Sequence, residues 1–218
     1  HLSFMQVRLE PSDRSELVTQ LIYGETYAVL EELDKWLNIE IHGDNYRGYI
    51  DKKQYDERTF SPQEAAINTR FPFILHEEER RINVPLGAFI HAPHSSNLSL
   101  KEATELFKNF LGAPYVWGGK TQFGYDCSGF TQIFFRCLGV SLLRDAYQQA
   151  TQGATVHLLD EALTGDLAFF DKVLPYADRG EATVLGHLRR AIEFNLERSG
   201  AHGLPCGLSA DWNDTLKL

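Results

Sequence analysis

One cysteine in this chain has the neighbours that nucleophilic chemistry requires. Cys127 follows the Gly- and aromatic-rich loop of residues 112–126, and a helical pattern begins beside it. Apolar residues then recur with the spacing of one buried helix face, at Phe130, Ile133, Phe134, Cys137 and Leu138. Because the first turn of a helix offers free N–H groups and the positive end of the dipole, we expect a lowered pKa for the Cys127 thiol. A thiolate at such a place is a nucleophile.

A structural thiol is the alternative interpretation of each cysteine. Most free cysteines are buried and inert, and Cys137, on the apolar face of the helix, fits that description. Cys127 instead lies among Asp126, Ser128 and Gly129, which are polar or small and typical of a loop-to-helix junction. From these residues alone, a nucleophile and an inert thiol remain alternatives for Cys127.

Three motifs, in this order, resemble the NlpC/P60 cysteine peptidases. They are Pro-Tyr-Val-Trp-Gly-Gly at 114–119, Asp-Cys-Ser-Gly-Phe at 126–130 and Gly-Asp-Leu-Ala-Phe-Phe at 165–170. The resemblance covers about residues 99–171. It implies a papain-like fold and hydrolysis of bacterial cell-wall peptides, typically between γ-D-glutamate and a diamino acid, with no cofactor and no metal. It also implies a His on a later strand, oriented by a third polar residue.

The resemblance also suggests residues that bind substrate. Tyr115 stands where the family has a Tyr beside the nucleophile, although an aromatic residue that packs under the loop fits equally well. Asp126 and Ser128, which flank the cysteine, are further candidates. Asp145 stands where related dipeptide-releasing enzymes hold the free amine of an N-terminal L-Ala, and a carboxylate suits an ammonium group. The alternative for Asp145 is a helix N-cap.

The general base is the weak point of the resemblance. In Thr-Val-Leu-Gly-His-Leu at 183–188, Val184 stands where the strand should carry its His. Our candidates are therefore His187 as the base and His202 as the residue that orients it. Residues 188–196 are more typical of a helix than of the expected strand. A divergent end, a frameshift and a truncated gene would each produce this pattern.

Since Val cannot transfer a proton, we expect weak or absent hydrolysis by this chain. We nevertheless interpret the chain as a cysteine peptidase, and the expected substrates are short murein peptides with a free N-terminal L-Ala. The alternative is a catalytically impaired protein that binds peptidoglycan fragments through its N-terminal domain and a residual cleft. Peptidoglycan-derived peptides are the expected partners in both cases.

The other segments predict how these residues are positioned. Residues 1–58 contain short strands separated by turns, which favour a small barrel and resemble a bacterial SH3 domain. Residues 59–98 form a linker with a hairpin around residues 77–79. Ser99 and Glu102 fit a capping box that begins the papain-like domain at 99–218, although the family pattern is clear only to about 171. The predicted fold class is therefore α+β, with a papain-like domain preceded by a small SH3-like β-barrel.

Composition restricts the function further. The chain has 218 residues, 43% of them hydrophobic, which suffices for a packed core. A formal net charge of -9 disfavours nucleic-acid binding, and we find no apolar stretch long enough for a transmembrane segment. The three cysteines suggest no disulfide framework. The chain begins at His1, so we expect a processed or truncated N-terminus, which leaves periplasm, cell envelope and cytoplasm open, as well as the oligomeric state.

Overall fold

An antiparallel sheet occupies the N-terminal part of the computed structural model, which describes residues 2–55, 65–70, 72–77, 80–91, 97–156, 163–167 and 169. Its strands are β1 (Phe4–Arg8), β2 (Leu17–Ile22), β3 (Tyr27–Glu32), β4 (Trp36–Ile41) and β5 (Arg47–Asp51). They pair in the order β2-β1-β5-β4-β3. The strands that the sequence predicts in this segment are thereby confirmed.

Alternating side chains give this sheet one buried face. In β4, Leu37, Ile39 and Ile41 are buried, whereas the residues between them are only partly buried. This is the two-residue period of a strand that covers a core on one side. The same cluster contains Val7, Leu21 and Ile50 from neighbouring strands.

Two short strand pairs follow the N-terminal sheet. β6 (Ala65–Ile67) pairs with β9 (Phe89–His91), and β7 (Phe73–Glu77) pairs with β8 (Arg80–Val84), each antiparallel. The β7–β8 pair lies where the sequence predicts a hairpin. Ile82, Val84 and Ala88 are buried beneath these strands.

The helical part begins at α1 (Leu100–Phe107). The predicted capping box is confirmed, because the Ser99 hydroxyl accepts from the Glu102 N–H and the Glu102 carboxylate accepts from the Ser99 N–H. A 3₁₀ turn at Lys108–Phe110 and two short strands follow, β10 (Lys120–Thr121) and β11 (Gly124–Tyr125). The last described helices are α2 (Cys127–Cys137) and α3 (Ala146–Gln149).

Aromatic residues form the core between α1 and α2. The Phe107 ring meets the rings of Phe130 and Phe134 edge-on, with centroids 5.1 and 5.0 Å apart, an arrangement that aromatic pairs prefer. Cys137 is fully buried in the same cluster, as predicted. One face of α2 is thereby fixed against α1, which in turn fixes the N-terminal end of α2.

The segment with the third sequence motif differs from expectation. Residues 163–166 form the expected turn, in which the Asp166 N–H donates to the Leu163 carbonyl at 3.0 Å. The predicted buried strand is wrong for the residues described here, because Leu167 and Phe169 are exposed and outside any strand. A strand is buried only when other elements pair with it and cover it, and none of the described elements does so.

The sheet and the helical part meet through close contacts. Gly118 has a φ of +75°, and a Cβ atom on it would lie 2.3 Å from the Leu17 carbonyl oxygen, so the backbones approach where only glycine fits. Glu25, just after β2, is buried and accepts from Lys120 at 2.8 Å and from Arg136 at 2.7 Å. None of the helices in the described residues has the length and hydropathy of a membrane span.

Candidate functional site

Cys127 is the first residue of α2 and is partly buried. Asp126 is the N-cap, and its carboxylate accepts from the Gly129 N–H at 2.6 Å, as expected for a residue type favoured at that position. The other carboxylate oxygen accepts from the Gly118 N–H at 2.8 Å. One carboxylate therefore joins the Gly-rich loop to the first turn of the helix, with Cys127 between them.

The pKa of the Cys127 thiol is raised, so the expected lowering is wrong for the groups described here. Burial is the main cause, and the Asp126 carboxylate adds to it. The backbone N–H groups of Ser128 and Cys127 act in the opposite direction, as does Arg144. The helix terminus does favour the thiolate, but burial and a neighbouring negative charge outweigh it. None of these contributors is an imidazole.

Tyr115 lies within electrostatic reach of Cys127. Its pKa is raised to about 12, first by partial burial and then by the negative charges of Cys127 and Asp126. A bridge between the backbones of Tyr115 and Tyr125 fixes the loop beside β11. The phenol therefore stays protonated at neutral pH and keeps a hydrogen-bond donor beside the thiol.

Arg144 connects the residues on both sides of Cys127. Its two terminal nitrogens donate to the two oxygens of Asp126 at 3.1 and 2.7 Å, and one of them also donates to the Ser128 hydroxyl at 2.9 Å. The third nitrogen, Nε, donates to the Thr19 hydroxyl on β2 at 2.8 Å. The side chain is only 1% exposed. The guanidinium therefore joins the N-terminal end of α2 to the N-terminal sheet.

Asp126 and Ser128, both substrate-binding candidates, are already engaged within the protein. Asp126 accepts from two backbone N–H groups and from Arg144. The Ser128 hydroxyl accepts from Arg144, and the Ser128 carbonyl accepts from the Gln149 side chain at 3.0 Å. These contacts fix the backbone around Cys127 and are independent of any ligand.

Asp145 lies at the N-cap of α3, the alternative that its sequence position allows. Its backbone N–H donates to the Gln148 side chain at 2.9 Å. Its carboxylate accepts from the Tyr46 hydroxyl of the N-terminal sheet region at 3.2 and 3.3 Å. Burial raises the pKa of Asp145, and the charge of Arg144 and the hydrogen bond from Tyr46 partly offset that increase.

Exposed aromatic rings lie near these residues. Trp117, at 61% exposure, donates its ring N–H to the Glu16 carboxylate of the N-terminal sheet region at 2.6 Å. Tyr147, at 73% exposure, follows Asp145 in α3. Large aromatic surfaces that remain in solvent beside polar groups are typical of ligand-binding clefts.

The two candidate histidines, His187 and His202, lie outside the described residues. The structure therefore brings together Tyr115, Cys127, Asp126 and Ser128, and places Asp145 next to Arg144. Across the described ranges, no three His, Cys, Asp or Glu side chains gather in a way that would hold a metal ion.

Sequence reasoning missed three contributors to the site, Arg144, Thr19 and Tyr46. Arg144 directly precedes Asp145 in the chain, and a role was predicted from the sequence for Asp145 alone. Thr19 and Tyr46 carry no local signal, because their partners are 125 and 99 residues away in the sequence.

Three family profiles match parts of the chain. The NlpC/P60 family matches residues 112–184, and the bacterial dipeptidyl-peptidase Sh3 domain matches residues 7–54. The catalytic domain of the glycosyl hydrolase 94 superfamily matches residues 155–218. His187 and His202 thus lie beyond the NlpC/P60 match and inside the glycosyl hydrolase match.

The similar proteins also include two groups, peptidases that match most of the chain and phosphorylases that match a short part of it. A γ-D-glutamyl-L-lysine dipeptidyl-peptidase of Bacillus cereus is 25% identical over 205 residues, covering 73% of this chain and 61% of that protein. The Bacillus subtilis protein of the same name is 28% identical, covering 70% and 63%. An N,N'-diacetylchitobiose phosphorylase of Vibrio furnissii is 54% identical over 55 residues, which are 25% of this chain and 7% of that protein. The chain thus spans about three fifths of the two peptidases.

A solved structure shares the fold. The crystal structure of an NlpC/P60 family protein from Bacillus cereus superimposes with a TM-score of 0.61, covering 71% of this chain and 76% of that one. The identity is 18%, so this likeness concerns the fold alone. Together with the family matches it agrees with the observed mixture of helices and strands behind a strand-rich N-terminal part.

Proposed function

We propose that this chain, which carries an NlpC/P60 domain behind a bacterial SH3 domain, is a cysteine peptidase that hydrolyses bacterial cell-wall peptides with Cys127 as its nucleophile. The observation that carries the proposal is the position of this thiol. It lies at the N-terminus of a buried helix, beside Tyr115, and the residues on both sides of it are fixed by hydrogen bonds. Such fixation holds an attacking atom in place before the substrate arrives.

The scissile bond of the proposal lies between γ-D-glutamate and a diamino acid. The names of the two Bacillus relatives support this substrate class. Cys127 Sγ attacks the carbonyl carbon, and a backbone N–H at the start of α2 stabilises the developing oxyanion. The thiol proton goes to a general base, which then gives a proton to the leaving amine.

The free amine of an N-terminal L-Ala is the proposed partner of Asp145. Its carboxylate accepts hydrogen bonds from the side chains of Tyr46 and Tyr147, and because an ionised carboxylate has about four acceptor sites, capacity remains for an ammonium group. A place at the start of α3 and an amine-binding role are compatible, because the Asp145 backbone N–H, which donates to the Gln148 side chain, is separate from the carboxylate oxygens that would accept from an amine. We now assign Asp126 and Ser128 to holding Cys127 in position, because both side chains are occupied by Arg144.

The fold details of the proposal follow the sequence. Residues 1–58 form an SH3-like barrel, residues 59–98 connect, and residues 99–218 form a papain-like domain. The five-stranded N-terminal sheet and the helix that presents Cys127 support this division. The similarity of residues 155–218 to a glycosyl hydrolase disagrees with the papain-like assignment of that stretch.

The glycosyl hydrolase match also affects the assignment of the general base. His187 remains the proposed base and His202 its orienting residue, but both lie in a stretch that the NlpC/P60 match does not reach. We therefore propose a slow hydrolase, about 10²–10⁴-fold below the rate expected with a well-placed base. The alternative is a protein that binds peptidoglycan fragments without cleaving them.

The test is hydrolysis of L-Ala-γ-D-Glu-diaminopimelate by the full chain and by its Cys127→Ala, His187→Ala and His202→Ala variants. We expect slow turnover that disappears in the Cys127→Ala variant. Loss of turnover in His187→Ala or in His202→Ala would identify the base. Turnover that survives Cys127→Ala would refute the proposal. Peptide binding by calorimetry without any turnover would establish the alternative.

A further inference from the structure

Both neighbours of Cys127 are held by a single side chain that comes from outside α2. Arg144 donates to both oxygens of Asp126 and to the hydroxyl of Ser128. A planar guanidinium can make these bonds in a fixed geometry, which a lysine ammonium cannot reproduce. The position of Cys127 between the two gripped residues therefore depends on where Arg144 is.

The position of Arg144 depends in turn on the N-terminal sheet. Its Nε donates to the hydroxyl of Thr19, which is fully buried in β2. Among the hydrogen bonds described for Arg144 this is the one that leads outside the helical part, because Asp126 and Ser128 both lie at the start of α2. A link of hydrogen bonds thus runs from β2 through the guanidinium to the first turn of the catalytic helix.

We propose that Arg144 is a positioning residue that sets the reactivity of Cys127, and that its hydrogen bond to Thr19 makes the N-terminal sheet part of that support. This rests on Cys127 as the nucleophile of the proposed function. The N-terminal sheet then contributes to the reactivity of the nucleophile.

Electrostatic interactions predict in which direction the reactivity of Cys127 changes when Arg144 is displaced. Among the described residues, the charged and titratable groups that act on the thiol include Asp126, Arg144 and Tyr115. The Asp126 charge opposes the thiolate, whereas Arg144, paired with Asp126 at 2.7 Å, favours it. If the guanidinium is displaced, the carboxylate acts on the thiol without compensation, so thiolate formation requires a higher pH.

A buried pair of this kind is not explained by stability alone. Arg144 is 1% and Asp126 9% exposed, so both charges lose most of their hydration. The attraction in such a pair often only offsets that loss, and apolar residues of similar volume can serve as well. A role in holding the nucleophile gives the pair a function that apolar residues could not provide.

The test is the pH profile of Cys127 alkylation by iodoacetamide in the full chain, followed by mass spectrometry of the Cys127 peptide. It requires no peptide hydrolysis, so its outcome is independent of whether the chain is a peptidase. The variants are Arg144→Lys, Thr19→Val and Thr19→Ser. Arg47→Lys is the matched control, since Arg47 pairs with Glu40 at 2.7 Å on the exposed surface of the sheet.

We expect Arg144→Lys to move the midpoint of the profile up by about one pH unit, which is roughly tenfold slower labelling at neutral pH. Thr19→Val keeps the side-chain shape but removes the acceptor, and we expect a shift of about half a unit, roughly threefold in rate. Thr19→Ser keeps the hydroxyl acceptor, so we expect it to retain the wild-type profile, as we do for Arg47→Lys.

Unchanged profiles in folded Arg144→Lys and Thr19→Val proteins would overturn the proposal. If near-UV circular dichroism shows that Arg144→Lys is unfolded, the comparison of Thr19→Val with Thr19→Ser alone tests the proposal. Equal profiles of Thr19→Val and Thr19→Ser would then refute the role of the sheet, and a shift in Thr19→Val alone would establish it.

Discussion

The hydroxyl of Tyr46 donates to both carboxylate oxygens of Asp145, at 3.3 and 3.2 Å, although 99 residues separate them in the chain. Burial and the charge of Asp145 raise the pKa of Tyr46, so the phenol remains a donor throughout the neutral range. Asp145 is thereby held from the N-terminal sheet region, although it is the N-cap residue of α3. The proposed amine site therefore combines residues from both parts of the molecule.

Tyr46→Phe tests this pair. Without the hydroxyl the carboxylate loses an orienting donor, and we expect kcat/KM for peptides with a free N-terminal L-Ala to fall about tenfold, the effect of a lost hydrogen bond to a charged group. An N-acetylated peptide should show no such loss, because it has no ammonium group for Asp145. Tyr55→Phe, on an exposed tyrosine, is the control. Equal losses for free and acetylated peptides would argue against an amine site.

Thiol labelling tests the contrast between Cys127 and Cys137. Cys137 is fully buried, and burial raises its pKa to about 12. We therefore expect limiting haloacetamide to label Cys127 before Cys137, as measured by mass spectrometry of the two peptides. Because burial and Asp126 also raise the pKa of Cys127 above its ordinary value of 9.0, its labelling rate should still increase above pH 9. A plateau below pH 8 would instead indicate an imidazolium partner from the rest of the chain.

Glu25→Gln tests the buried charges between the sheet and the helical part. The change removes the negative charge that Lys120 and Arg136 share, and leaves two cations with side-chain exposures of 0% and 12%. We expect a loss of about 3–5 kcal/mol in the free energy of unfolding, measured with urea. The control is Glu32→Gln, whose pair with Lys52 is mostly exposed and should contribute at most about 1 kcal/mol. Similar losses in both variants would contradict this account.

Acid should weaken the same contact. Although burial alone would raise it, the charges of Lys120 and Arg136 lower the pKa of Glu25 to about 2, from an ordinary value of 4.5. A carboxyl with a lowered pKa in the folded state stabilises above its unfolded pKa, and this stabilisation is lost as pH falls from about 4.5 towards 2. The shift corresponds to about 3 kcal/mol. Urea unfolding between pH 7 and 3 should show a smaller pH dependence for Glu25→Gln than for the wild type.

Gly118→Ala tests the close approach of the loop to β2. The added Cβ would lie 2.3 Å from the Leu17 carbonyl oxygen, at a φ of +75° that alanine rarely adopts. We expect a loss of about 1–3 kcal/mol in the free energy of unfolding. Labelling of Cys127 should also slow, because the Gly118 N–H holds Asp126. Gly43→Ala, with no atom within 4 Å of its added Cβ, should change neither quantity.

The sequence by itself predicted what depends on local patterns. The periods of two and 3.6 residues placed the N-terminal strands and α2, and the Ser99–Glu102 pair placed the start of α1. The same periodicity separated Cys137, which is buried in the core, from Cys127 at the helix start. These features follow from residues close together in the chain, so local spacing is sufficient to predict them.

Tertiary structure decided the environment of each functional group. A helix N-terminus predicts a lowered thiol pKa, yet burial and the Asp126 charge raise it at Cys127. Asp126 and Ser128 are polar residues beside the nucleophile, yet a buried arginine from a distant loop occupies both. Burial and electrostatic interactions depend on all groups within a few ångströms, whatever their distance in sequence, and for this reason the roles of Thr19, Tyr46 and Arg144 emerge only from the folded chain.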